Sequence, residues 1–271
     1  MATALDVSLP GGLWVDGERR RDAALRPLNG EDEAFLLEAS SGLSPAHRVT
    51  GILERCLVRL GPHEPVGAEA VRELAAGDRQ ALLLHLRRLT FGERLECVIA
   101  CPACDEELDL DLRVADLLVP PYPERPPELD AELEGVPVRF RLPTGADEEA
   151  AAVAAEASAE AAVATVLERC VAGPAAVTGE VADALGELMG ELDPQADIVL
   201  ELTCAACGEP VSAPFDAGDF VAREIGGDRD TLLREIHLLA LHYGWQESEL
   251  VAMTTTRRRR YVTHLVETLA Q

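Results

Sequence analysis

Two Cys-x-x-Cys pairs, Cys101-Pro102-Ala103-Cys104 and Cys204-Ala205-Ala206-Cys207, constrain this chain more than any other feature. Each lies between two strand-like stretches: residues 95–100 and 108–112 flank the first, residues 198–203 and 211–215 the second. Each pair therefore reads as the tip of a β-hairpin, a zinc knuckle. Two such tips facing each other offer four thiolates in a tetrahedron, the donor set of a closed structural zinc site. A closed site leaves no coordination position for chemistry, so the pattern points away from an enzyme. Cys101, Cys104, Cys204 and Cys207 are the expected ligands of one structural Zn2+. Four thiolates on two knuckles also accept iron.

Two rival readings stand beside the shared ion. A thioredoxin-type redox pair opens a helix after a strand, where the helix end lowers a thiol pKa. Here strand-like sequence follows both pairs, and Asp105-Glu106-Glu107 beside Cys104 would raise it. Independent buried thiols are the other rival. Cys56, Cys97 and Cys170 fall on apolar faces and read as small buried hydrophobes. Cys97, four residues before Cys101, is a candidate fifth ligand only by proximity.

At 271 residues the chain can bury one large core or two smaller ones. Its basic residues are all arginine, 24 against 49 carboxylates, giving a formal net charge of -25. Such a charge opposes nucleic acid and anionic membrane, which need a positive field, and favours basic partner surfaces. Seven cysteines, an odd number, without the basic start and apolar core of a secretory signal, do not form a disulfide framework. No apolar run approaches the roughly 20 residues of a membrane span. The expectation is a cytoplasmic protein with no membrane insertion. The six histidines are scattered, and no phosphate-binding glycine loop, nucleophile elbow or catalytic carboxylate pair is evident.

The patterning predicts an α+β, mostly helical fold. Residues 8–28 read as a hairpin around Asp16-Gly17, and Asn29 as the cap of an acidic first turn. Helices are expected over 46–60, 68–90 and near 114–118, with the first knuckle between the last two. Five prolines within 119–128 make a stiff linker, and period-two apolar residues around Glu134-Gly135 a strand pair. Then come an alanine-rich helix over 146–172, a helix over 179–190, the second knuckle, and helices near 216–225, 228–243, 246–252 and 254–270. Gly226-Gly227 and Gly244 mark breaks. The expected organisation is 1–45 (hairpin and helix), 46–119 (first knuckle half), 120–143 (linker and strand pair), 144–226 (second knuckle half) and 227–271 (C-terminal helices).

The sequence Leu53-Glu54-Arg55-Cys56 recurs as Leu167-Glu168-Arg169-Cys170, each ahead of a knuckle. This suggests two pseudo-repeated halves about a pseudo-two-fold, joined at one four-cysteine, zinc-ribbon-like site; a four-letter match also arises by accident. Arg257, Arg258, Arg259 and Arg260 form the one basic cluster. It reads either as a solvated or ion-paired helix or as a docking patch for an acidic partner. Tyr243 and Trp245 flank a helix end, where an exposed aromatic makes a good interface anchor.

The chain resembles a family of baseplate (hub or assembly) proteins found in contractile phage tails and extracellular contractile injection systems. The resemblance lies in residues 77–84 (Gly-Asp-Arg-Gln-Ala-Leu-Leu-Leu), Thr90-Phe91-Gly92-Glu93 and the first knuckle. It continues in Leu192-Asp193-Pro194-Gln195, the second knuckle and the block around His242-Tyr243-Gly244-Trp245, ending in Arg257 to Arg260 and Tyr261. It extends over roughly residues 1–270, with residues 26–33 included. Ala205 departs from it, since such a knuckle often carries proline there; ligation is unaffected. The resemblance implies a non-enzymatic structural or assembly part of a baseplate, partnered by other baseplate and tail proteins. The alternatives are a zinc-ribbon adaptor for a single regulatory protein and a thiol oxidoreductase.

Overall fold

The structure, a computed structural model, describes residues 4–39, 42–173, 177–226 and 230–270. It opens with β1 (Leu5–Val15) and β2 (Glu18–Leu25), paired antiparallel around Asp16-Gly17. Both turn residues have positive φ, 52° and 78°, the two-residue geometry that Asp-Gly favours. The register slips between Ser8 and Leu13, where the backbone turns aside at Gly11 and Gly12. α1 (Gly30–Ala34) starts at Asn29, whose side chain accepts from the Asp32 amide while Asp32 accepts from the Asn29 amide. A π-helical turn follows over Phe35–Ala39.

α2 (Pro45–Cys56) has Ser44 as its cap and Pro45 in the first turn. It stops at Cys56, short of the expected residue 60. Leu57 turns to extended backbone, and β3 (Leu57–Leu60) completes a sheet against β2, burying Leu57 and Leu60. The span 68–90 resolves into α3 (Ala68–Arg72) and α4 (Ala76–Phe91). α4 is covered on nearly every side: Leu82, Leu83, Leu84 and Leu86 are all buried, so one amphipathic stripe understates its burial.

β4 (Arg94–Ala100) and β5 (Glu107–Arg113) form the first cysteine hairpin, followed by α5 (Val114–Leu117). The proline-rich segment beyond is strapped down. The Tyr122 amide donates to the Pro10 carbonyl at 2.8 Å and its buried hydroxyl to Asp193 at 2.7 Å. β6 (Leu129–Leu133) and β7 (Val136–Phe140) make the expected strand pair, joined by β8 (Val171–Ala172). The expected single helix over 146–172 is two, α6 (Gly145–Ala154) and α7 (Ala159–Cys170). Ser158 breaks the run by capping α7, its hydroxyl accepting from the Ala161 amide at 3.1 Å.

α8 (Glu180–Leu192), the second cysteine hairpin of β9 (Ile198–Thr203) and β10 (Pro210–Phe215), and α9 (Ala217–Gly226) follow. α10 (Thr231–Tyr243), α11 (Glu247–Val251) and α12 (Thr255–Leu269) end the fold. Gly244 closes α10 at φ 67°. The expected start of that helix at 228, and Gly227 of the expected break, lie outside the described residues.

The largest apolar core joins β1–β3, α2–α4 and α9. A second lies between the β6–β8 sheet, α7 and α8, and a third surrounds the cysteine tips. A fourth is internal to the C-terminal helices, around Leu239, Leu250 and Leu265.

Several constructions occur twice. Arg26 pairs bidentately with buried Asp32 at 2.5 and 3.0 Å, and its amide donates to the Cys56 carbonyl at 2.9 Å. Arg141 pairs with buried Asp147 at 2.5 and 3.0 Å, and its amide donates to the Cys170 carbonyl at 3.0 Å. The loop before α4 bridges Ala75 to Thr144, the cap of α6; the loop before α12 bridges Thr254 to Asn29, the cap of α1. Four residues into each donor helix an arginine enters the joint. Arg79 Nε lies 2.7 Å from Glu148, and Arg258 Nη2 lies 2.6 Å from Glu33. Gln80 accepts from the Ala217 amide after the second cysteine hairpin, and Gln195 from the Val119 amide beyond the first.

Candidate metal centre

Each cysteine tip is built by the same backbone turn. In the first, the Cys101 amide donates to the Glu106 carbonyl and the Asp105 amide to the Cys101 carbonyl, both at 2.9 Å. In the second, the Cys204 amide donates to the Glu209 carbonyl and the Gly208 amide to the Cys204 carbonyl, both at 2.9 Å. The residue after the second cysteine of each pair has positive φ: 58° at Asp105, 80° at Gly208. Glycine takes that conformation freely, and aspartate is one of the few others to adopt it.

The two tips meet. All four sulfurs lie within 4.8 Å of one another, and the Cys101–Cys207 and Cys104–Cys204 separations are both 3.7 Å. A Zn–S bond of about 2.3 Å in a tetrahedron sets its sulfurs about 3.8 Å apart, so the set fits a single ion. Cys101 and Cys204 are buried, while Cys104 and Cys207 face solvent. Backbone N–H groups also point at the sulfurs. The Cys207 amide, aimed at Cys204, holds that thiol down at about 7. The Glu106 and Glu209 amides point at Cys104 and Cys207 and pull them down, but the crowded neighbouring thiols outweigh them, pushing Cys104 up to about 12 and Cys207 up as well. Such donors stabilise thiolate, the form a metal binds.

The three other cysteines stand apart from this cluster. Cys97 lies on β4 against the main core and is not among the four. Burial pushes the Cys56 thiol far up and the Cys170 thiol up to about 12, which makes both inert. No helix begins at either Cys-x-x-Cys pair; β5 and β10 follow them. No histidine joins a group of potential metal ligands among the described residues.

The arginine cluster divides. Arg258 is wholly buried between Glu33 and Glu235, at 2.6 and 2.8 Å, so it cannot reach a partner: α12 turns it into the joint with α1. Arg259 sits over the Phe91 ring, 3.5 Å from Glu235. Arg257 and Arg260 face outward. Tyr243 stacks on Trp245 at 4.7 Å between centroids, and Tyr261 meets Trp245 edge-on at 5.0 Å. Trp245 is thus half-buried in an aromatic group, not presented alone.

Sequence reading missed the buried polar residues that tie together elements remote in sequence. Asp78 accepts from the Gly11 and Gly12 amides, both at 2.7 Å, pinning α4 beneath β1. Asp193 accepts from the Gly77 amide and the Tyr122 hydroxyl. The arginine joints were also missed, though they had a signal in the matching strings Asn29-Gly30-Glu31-Asp32-Glu33 and Thr144-Gly145-Ala146-Asp147-Glu148, hidden by the surrounding acidic composition.

Fold and site define an α+β protein in which two cysteine hairpins, remote in sequence, close four sulfurs on one point. Residues 17–175 match the model of a family described as T4 bacteriophage base plate protein. That span is more than half of the chain, and the chain belongs to this family. The match includes the first cysteine hairpin and ends before the second. No curated protein and no solved structure matches the chain. Family membership makes it a phage baseplate structural component, which works in contact with other tail and baseplate proteins. Among the described residues, no helix is long and apolar enough to cross a membrane.

Proposed function

We propose that the protein is a non-enzymatic structural or assembly component of the baseplate of a phage-tail-like contractile injection particle. Its two halves are clasped by one structural zinc on Cys101, Cys104, Cys204 and Cys207. Membership of the base plate family carries the reading of the particle. The four sulfurs within 4.8 Å support the clasp. Zinc fits a centre with no redox task, and its binding free energy adds to folding.

In this reading the chain is a diverged duplication, residues 46–119 against 144–226, with the hairpin ahead of each. The paired geometries at the start of each half support it, Arg26–Asp32 with Arg141–Asp147, as do the crossed bonds of Gln80 and Gln195. The shared metal then sits at the seam. Partners are other baseplate and tail proteins, nucleic acid is not among them, and synthesis is cytoplasmic.

The test has two readouts. Chain purified without chelator or affinity metal is expected to carry about one zinc per chain by elemental mass spectrometry. Expressed with its particle, it is expected to co-sediment with sheath and tube proteins, or with their assembly intermediates. A chain that fractionates only with one small soluble partner would be an adaptor, and the baseplate reading would fall.

A further inference from the structure

We propose that the outer face of α12 is a docking site for an acidic segment of another protein, with Arg257 and Arg260 as its carboxylate-binding groups. The first support is the distribution of charge. Residues 230–271 hold five arginines and five carboxylates and are neutral, so the whole net charge of -25 resides in the rest of the chain. The C-terminal helices are therefore the part of the molecule that an acidic partner can approach. At physiological salt the field of the body is screened over about 8 Å.

The second support is the phase of α12. Arg258 is locked between Glu33 and Glu235, and Thr255 on the same side donates its amide to the Leu28 carbonyl and its hydroxyl to Glu33. These contacts fix the rotation of the helix. Arg257, Arg260, Tyr261 and His264, at spacings of three, four and seven, are thereby placed on the opposite side. With Thr254 and Thr256 they line one open hollow.

The third is the absence of internal partners. Carboxylates outnumber arginines two to one in the whole chain, and Arg258 and Arg259 are both paired. Among the described residues, no carboxylate lies within ion-pair distance of Arg257 or Arg260. Arg257 instead lies over the Tyr261 ring at 5.9 Å, and Tyr261 packs on Trp245. A guanidinium held over a ring keeps its N–H edge free, and that edge matches a carboxylate with two parallel bonds. Two arginines on a short helix face suit a few carboxylates. A long polyanion such as duplex DNA would have to lie along the body and meet its negative field.

The inference rests on the baseplate reading only for the expectation that a protein partner exists, and its test needs no particle. A fluorescein-labelled hexaglutamate peptide is titrated against the full-length chain by anisotropy, with a short DNA duplex as the comparison probe. Saturable binding is expected, weakening as salt rises. It should fall at least about tenfold in Arg257→Gln/Arg260→Gln, the scale of two lost charge-assisted hydrogen bonds. The variant should keep its circular dichroism and unfolding midpoint, since neither residue is buried. No binding of the peptide, or equal binding by the variant, overturns the proposal. Tighter binding of the duplex through the same arginines overturns the assignment to a protein segment. Failure here leaves co-sedimentation with the particle untouched, and failure of co-sedimentation leaves this site untouched.

Discussion

The Arg258 guanidinium lies 2.6 Å from the Glu33 carboxylate, with both side chains buried and 225 positions between them in the chain. Buried Arg79 stands to the half-buried Glu148 in a similar way, at 2.7 Å. In each joint a glycine, Gly30 or Gly145, opens the receiving helix directly against the arginine. The two joints hold different parts together: one seats α6 on α4, the other seats α12 on α1.

Breaking such a pair costs more than the pair contributes. Burial lowers the Arg79 pKa and raises that of Glu148, so desolvation opposes the charges on both sides. Removing one partner leaves the other charge buried and alone, at a cost of about 3–5 kcal/mol. Arg258→Met is therefore expected to lower stability to urea by that order, leaving Glu33 without its cation and Glu235 with only Arg259 at 3.5 Å. Glu33→Gln should cost less, because Arg258 keeps Glu235 at 2.8 Å. An Arg258→Met midpoint equal to that of the parent would show that this joint carries no weight.

The joints also forbid a methyl group. A Cβ at Gly145 would overlap Arg79 Nη1, and one at Gly77 would overlap an Asp193 carboxylate oxygen. Neither glycine has a positive φ, so the constraint is packing and not backbone conformation. Gly77→Ala and Gly145→Ala are each expected to lose about 1–3 kcal/mol through overpacking. Gly186→Ala, with nothing within 4 Å of its added Cβ and a helical position, should be neutral or slightly stabilising. Thermal unfolding of the three variants makes the comparison, and equal shifts would contradict the packing account.

His85 gives stability an acid dependence of known sign. Burial, aided by Arg88, lowers its pKa to about 4 from an ordinary 6.5; its Nδ1 lies 2.9 Å from Arg88 Nη2. The unfolded chain protonates this ring below about 6.5, and the folded chain resists until about 4. Its contribution is thus present above 6.5 and lost as the pH falls through that window. At about 1.4 kcal/mol per unit, the loss is roughly 3–4 kcal/mol at full depth. Asp78 works the other way. Burial raises its pKa to about 7, so the folded state gains relative stability as Asp78 takes up its proton on acidification. The His85 effect is isolated by difference: His85→Gln should lose less stability between pH 6.5 and 4.5 than the parent in urea titrations. Parallel curves would refute it.

Much of this was legible from local chemistry. The two cysteine tips, the Asp16-Gly17 turn and the Asn29 cap each depend on a few adjacent residues, and each appears where the sequence placed it. What was not legible depends on remote neighbours. Leu57 to Leu60 continue a helical pattern, yet the open edge of β2 takes them as a strand. The run of four arginines reads as one surface feature. Only the position of Glu33 and Glu235 decides that Arg258 turns inward while Arg257 and Arg260 stay out. The alanine run around residue 155 carries no face strong enough to reveal its break, and a single serine cap decides it.

The last prediction concerns the cysteine centre, where the geometry makes a demand that independent thiols cannot meet. Cys101 and Cys204 lie on different hairpins, and around them the apolar cluster is small: Val211 is buried, with Ile99, Leu108 and Leu202 only partly covered. That cluster is thin, so in the proposed clasp a bound ion supplies much of what holds the two tips together. Cys101→Ser and Cys204→Ser should each abolish metal content and lower the unfolding midpoint by the same amount, because each removes the same ion. The double variant should then cost no more than either single one, a strongly non-additive cycle. Cys97→Ser, outside the cluster, should keep its metal. Amide exchange should quicken at Asp105 and Gly208, whose hydrogen bonds close the two turns, ahead of the leucine-rich core of α4. Additive losses from the two single variants would mean two separate buried thiols, and the clasp between the halves would have to be abandoned.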